Sequence, residues 1–334
     1  MMSLFMRTNK LTILLIIIGA TAANVSSFVI GRLKSPPWLE FLGTVHYPTD
    51  YFYYLSLIAQ GEYRWFTAIS LHTTENLPPT IIGWFYVVLG RIGYFLHLRP
   101  DFTYQLGVIT CSILYIIAAY YLIRLVFFTS KTQQTVSLVL FLTANAFPLV
   151  FRSESGLSLD IIRPWFSYGN PFTRLTNVPS HLAIQALLLS SVSIASAWHM
   201  RSAKSKKNAL NTPTVYILRT LAPWSILFFV FGMVVSSLQP IQWIIVSGAI
   251  GLAYGALGVK ERIWKKPEML IITLVPFTFY GIGGAISASI LNALKSTYQP
   301  MAATAAWEAR QQQYYTYIDF LKSNGPVWII GLLG

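Results

Sequence analysis

Charge is what this sequence has least of. Only 10% of its 334 residues are Asp, Glu, Lys or Arg, against about a quarter in an average soluble domain, and that shortage excludes an ordinary water-soluble fold. Acid is scarcer still, with 11 carboxylates against 24 Lys and Arg. Cysteine is nearly missing. The single Cys111 lies inside an apolar run, so the chain builds neither a disulfide framework nor a cysteine-based metal site. No Gly-rich nucleotide loop, Walker sequence or dinucleotide fingerprint occurs, which disfavours a nucleotide-sugar donor on the cytoplasmic side. Nor is there an internal repeat of the paired-halves kind that many transporters carry.

What is present is apolar, 54% of the chain. A hydrocarbon core of about 30 Å takes roughly 20 apolar residues per helix. Residues 11–31, 106–128, 181–199, 220–238, 241–258 and 269–290 meet that length. Two shorter runs, 81–98 and 135–151, are interrupted by Arg91 and by Asn145 with Pro148. A further run starts at residue 326 and stops after about nine residues, the look of a ninth helix cut off and of a front part of a longer protein. The expectation is an all-α, polytopic transmembrane bundle forming one transmembrane domain over 1–334. The first run, LTILLIII followed by Ala20-Thr21-Ala22, also resembles a secretory signal. Its continuation through Phe28, Val29 and Ile30 suits an uncleaved span better.

The excess of base sorts the loops. Arg201, Lys204, Lys206, Lys207 and Arg219 fall in one loop, and Lys260, Arg262, Lys265 and Lys266 in another. Such clusters mark cytoplasmic loops, so the +13 formal charge reads as topology facing anionic lipid headgroups, without a nucleic-acid partner. The expectation is a multi-pass cell-membrane protein with its N-terminus in the cytoplasm. Five candidate spans separate the Arg7/Lys10 tail from the 201–219 loop, an odd number. One of the weak pair, 81–98 or 135–151, must therefore fail to cross. Either choice leaves 33–80, 151–180 and 291–325 on the non-cytoplasmic face.

Those three loops hold the unusual chemistry. The first contains Glu40, His46, Asp50, Glu62, Arg64, His72 and Glu75, and residues 49–60 read as a helix lying at the interface, with Asp50, Tyr54, Leu57 and Ile58 on one side. Aromatic rings are at home at headgroup depth. A carboxylate there is paired, solvated or functional. Asp50 also suits a helix N-cap. The second loop carries Arg152, Asp160, Arg163, Arg174, Asn177 and His181; the third, with Glu308, Arg310 and several tyrosines, reads as a helical lid.

The order of a first span, an external loop with an acid beside Tyr and the run YYLSLIAQG, then HTTENLPPT (72–80) and WFYVVLGRIGYFLHL (84–98), resembles the GT-C superfamily of membrane glycosyltransferases. The layout is similar to that of aminoarabinose transferases, protein O-mannosyltransferases and oligosaccharyltransferases. The resemblance covers about residues 1–200. It implies transfer of a sugar from a polyprenyl-phosphate carrier to an acceptor, of unspecified kind, on the non-cytoplasmic face. Asp50 matches the family's acid in the first external loop, a base or an acceptor anchor. Many relatives have two adjacent acids where this chain has Asp50-Tyr51, which moves the second carboxylate to Asp160.

Asn177 and His181 resemble the family's Asn-Pro-His element, with Val178 and Ser180 inserted. The chemistry needs such groups: a carboxylate to take the acceptor's proton, and Arg152, Arg163 and Arg174 to neutralise the departing phosphate. His46, Tyr54 and Glu75 complete the candidate substrate-binding set. No cofactor is implied with certainty, and a divalent metal would have Asp50, Glu75 or His181 as ligands. The competing reading is a multispan transporter or flippase of lipid-linked sugar, with Arg91 and Arg124 as intramembrane charges.

Overall fold

The computed structural model describes the backbone of residues 2–43, 48–69, 71, 78–143, 148–153, 156–161, 178–209, 214–261 and 267–297. These form nine helices and one hairpin: α1 (Met2–Lys34), α2 (Pro48–Gln60), α3 (Trp84–Phe95), α4 (Pro100–Val126), α5 (Lys131–Thr143), β1 (Pro148–Ser153), β2 (Gly156–Ile161), α6 (Pro179–Ala209), α7 (Thr214–Leu238), α8 (Pro240–Glu261) and α9 (Pro267–Thr297). Five of the helices begin on proline, whose fixed φ suits the first helical turn and whose missing N–H is no loss there. Five stretches are long and apolar enough to cross a membrane: Lys10–Lys34, Pro100–Val126, Pro179–Trp198, Leu221–Leu238 and Leu274–Leu294, with Pro240–Ala256 a shorter apolar helix. The molecule is a transmembrane helical bundle, as its composition predicts.

Two weak candidate spans turn out differently. The run 81–98 yields only the 12-residue α3, about 18 Å at 1.5 Å per residue, well short of a bilayer core. Its ends are cut by Gly83 in the left-handed region at φ 76° and by a turn through Leu96 and His97, the latter at φ 54°. The run 135–151 is also no single helix. α5 is described as far as Thr143, and Pro148 opens an antiparallel strand pair in which Leu149 faces Asp160 and Arg152 faces Leu157. This hairpin is the one departure from an all-helical architecture among the described residues.

The chain divides into two compact units. Met1–Ile117 with Phe127–Ala183 belongs to the first, and Ala118–Val126 with the described residues from Ile184 onward to the second. In the second unit α7 and α9 pack closely, because a Cβ on Gly232 would collide with the Tyr280 carbonyl and one on Gly283 with that of Phe229. Helices in lipid gain little from hydrophobic exclusion, so close approach at small residues supplies the packing. Ser236 Oγ donates to the Gly284 carbonyl at 2.8 Å and Tyr254 to that of Ala195 at 3.0 Å. Around these contacts lies a core of Phe228, Ile250, Tyr254 and Tyr280.

Candidate functional site

The first unit builds its site from α2, α3, the start of α4 and the start of α6. α2 and α3 come into backbone contact, since a side chain at Gly90 would overlap the Ile58 carbonyl. That approach carries Tyr86 of α3 over Tyr54 of α2, with ring centroids 4.3 Å apart and planes 12° from parallel. Tyr104 of α4 lies parallel to both at 6.4 Å, and Tyr51 meets it edge-on at 4.8 Å. The Tyr86 hydroxyl is 2.9 Å from Ser180 Oγ, the residue before His181. The helix that leaves the second loop is thereby tied to the helices of the first.

Asp50 stands at the edge of this tyrosine stack. It lies inside the first turn of α2, two residues beyond the Pro48 start, so it is placed past the N-cap position considered from the sequence. The positive helix end favours a carboxylate there, and the side chain is exposed. One turn on, burial pushes the Tyr54 hydroxyl up to about 12, and the Asp50 charge adds to the rise. Tyr86, fully enclosed, is raised well above the ordinary value by the same desolvation. Both phenols therefore remain protonated donors at neutral pH and cannot serve as bases.

A second constellation fixes the approach to Asp50. Three consecutive carbonyls each receive a donor from a different helix: Phe41 from Arg32 Nε of α1 at 3.3 Å, Leu42 from the Tyr51 hydroxyl of α2, and Gly43 from Gln105 Nε2 of α4 at 3.3 Å. Gly43 adopts φ 116°, which glycine alone reaches readily. Arg32 also pairs with Glu40 and, at 3.2 Å, with Asp101, while Arg99 forms a fork on Glu40 at 3.0 Å to each oxygen. The Asp101 side chain is only 4% exposed. Arg32 lies over the rings of Phe28 and Phe102, at 5.3 and 4.5 Å. The arginines beside Glu40 hold its carboxyl below the ordinary value, chiefly through the Arg99 hydrogen bond.

Of the residues nominated from sequence, the structure brings Asp50 and Tyr54 together and ties Ser180, next to His181, to the same stack. His181 is exposed on the first turn of α6. Arg152 and Asp160 lie on opposite strands of the hairpin and are placed by backbone alone. His46, Glu75, Arg163, Arg174, Asn177 and the third loop beyond Thr297 lie outside the described residues. Among the described residues no three His, Cys, Asp or Glu side chains converge as a metal site would require. Sequence reading passed over Arg32, Arg99, Asp101, Tyr86 and Tyr104. The only local signal was Pro100-Asp101 at a helix start, and the contacts Arg32–Asp101, Tyr86–Ser180 and Arg99–Glu40 span 69, 94 and 59 residues.

Arg91, nominated as an intramembrane charge, is instead a latch of the first unit. It donates to the Glu62 carbonyl at 2.9 Å and covers the Trp65 ring at 4.6 Å. No protein-family model matches this chain, and neither a curated protein nor a solved structure does.

Proposed function

We propose that the chain is a membrane glycosyltransferase of GT-C type, taking a sugar from a polyprenyl-phosphate carrier to an acceptor on the non-cytoplasmic face. The observation that supports this most is the convergence at Asp50. An exposed carboxylate at a helix N-terminus stands beside protonated phenols, and the exit of the second loop is fastened to the same stack through Tyr86 and Ser180. In this reading the acceptor's hydroxyl or amide attacks the anomeric carbon and gives its proton to Asp50. The bond from that carbon to the phosphate oxygen breaks, and the polyprenyl phosphate departs with the electron pair. Arg152, Arg163 and Arg174 would balance the phosphate charge, and Asp160 would supply the second carboxylate.

The same reading requires an even number of crossings between the N-terminal tail and the 201–219 loop, with both in the cytoplasm and 33–80 and 151–180 on the other face. The test is an assay in proteoliposomes with radiolabelled polyprenyl-phosphate sugars. Asp50→Asn should lower transfer by about 10²- to 10⁴-fold while leaving the melting temperature unchanged. Unimpaired transfer by this variant would remove Asp50 as base, and uptake of intact lipid-linked sugar without a glycosidic product would favour the flippase.

A further inference from the structure

The outer side of α3 takes no part in this chemistry, yet its pattern is the most one-sided in the first unit. At 100° per residue, Trp84, Val88, Ile92 and Phe95 form one line along the helix. Tyr86, Gly90 and Gly93, all buried, form the opposite one. Gly90 abuts Ile58 of α2 and Gly93 abuts Thr103 of α4. Ile92 and Phe95 are 47% and 61% exposed, and beside them Trp65 and Phe66 are 58% and 56% exposed. The Trp65 ring lies 6.3 Å from that of Phe95.

The line carries no charge. Arg91, the sole charge of α3, is drawn to the Glu62 carbonyl and sits within 6.0 Å of the Trp65, Tyr94 and Phe95 ring centroids. α2 is the covered layer: Tyr51, Leu57, Ile58 and Gln60 are buried. On α2 itself Phe52 stays 49% exposed.

Three observations select the occupant of this face. Pro100 opens a helix long and apolar enough to cross a membrane, and only the short turn through Leu96 and His97 separates it from Phe95, so α3 stays at that end of the span. The exposed side chains on and beside the line are Ile92, Phe95, Trp65 and Phe66, with the half-buried Trp84 and Val88 continuing it and no Lys or Glu among them, the aromatic and aliphatic mixture of an interfacial helix face. These side chains are also contiguous, with the Trp65 ring against that of Phe95, where a water-facing surface scatters its large apolar groups singly. We infer that α3 is a lipid-docked interfacial helix whose Trp84–Val88–Ile92–Phe95 line, with Trp65 and Phe66, dips into one leaflet of the bilayer.

Cys111 is buried, so a Cys111→Ser background admits one nitroxide label at a time. The full chain would be placed in phosphatidylcholine–phosphatidylglycerol nanodiscs with labels at Phe66→Cys, Ile92→Cys or Phe95→Cys. Glu62→Cys serves as the water reference and Leu252→Cys, on the exposed flank of α8, as the lipid reference. Collisions with oxygen should exceed those with a water-soluble nickel chelate at 66, 92 and 95, as at 252, and the order should reverse at 62. Nickel-dominated collisions at 92 and 95 would overturn the inference, and so would exclusion of both reagents, which would mean cover by protein. A photoreactive benzoylphenylalanine at position 92 gives a second readout in case a label disturbs folding: crosslinks to phospholipid are expected, and crosslinks to protein alone would overturn it. Neither result depends on glycosyl transfer.

Discussion

The two units are held together by different means. Every ion pair among the described residues lies in the first, between Arg32, Glu40, Arg99 and Asp101. Its irregular stretches are fastened by side chains that reach main-chain groups, as when Gln60 both donates to the Ile69 carbonyl at 3.0 Å and accepts from the Ile69 N–H at 2.8 Å. The second unit relies on glycines that let helix backbones touch, as Gly90 does between α2 and α3, and on a few hydroxyl-to-carbonyl bonds, with no ion pair seen among its described residues. The difference follows from backbone accounting. A long helix satisfies its own amides, whereas a loop beside a membrane must find partners for each one. Polar side chains therefore gather where the chain is irregular, and small residues where it is regular.

The sharpest break of this contrast is Asp101→Ala. It removes the buried carboxylate that both Arg32 and Arg99 hold and leaves them Glu40, which is exposed, and a loss of about 3 kcal/mol is expected from the two charge-assisted bonds. Hydrogen exchange should quicken around Arg32, Phe41 and Arg99 and stay unchanged in α7 and α9; equal loosening of both units would end the distinction. Next comes Gly283→Leu, which must push α9 away from Phe229 and should cost about 2 kcal/mol, read as a lower melting temperature in detergent. Gly251→Leu, with nothing near its Cβ position, should leave that temperature unchanged.

A smaller effect is expected from removing single hydroxyls. Tyr51→Phe in the first unit and Tyr254→Phe in the second should each cost about 1 kcal/mol. Only the former should expose residues 39–43 to protease.

The smallest effect is set by pH. The Glu40 carboxyl is held below its ordinary 4.5 in the folded state. Its contribution is therefore complete above that ordinary value, which the unfolded chain keeps, and is lost as pH falls through the lower folded one. Exchange protection of Glu40, Phe41 and Leu42 should be constant from pH 8 to 5 and decline only below about pH 4. High salt should mimic the decline, because the carboxylate is exposed. A decline already present near neutrality would point to a group other than Glu40.

The spans were legible because hydrophobicity is local: 106–128 and 220–238 predicted what became Pro100–Val126 and Thr214–Leu238, with errors at the ends. Prolines 48, 100, 179, 240 and 267 marked helix starts in plain view. That one of the weak runs 81–98 and 135–151 falls short was legible, but where 81–98 ends was not, because composition alone does not show that Gly83 and His97 turn the chain. The strands at 148–161 were hidden for a related reason, since pairing depends on register rather than apolar content. Asp50 and Tyr54 were legible as one helical turn. Tyr86, Tyr104 and the Arg32–Asp101 pair were not, because each is defined by a partner on another helix, and no pattern within one segment encodes such a meeting.

The triple tie at Phe41, Leu42 and Gly43 bears on how this protein can drift over evolutionary time. Since the grip falls on peptide oxygens, substitution at the exposed Leu39 or Leu42 leaves the grip intact, whereas changing Arg32, Tyr51 or Gln105 releases it. Descendants of this chain should thus keep the holders and Gly43 and freely exchange Leu39 and Leu42.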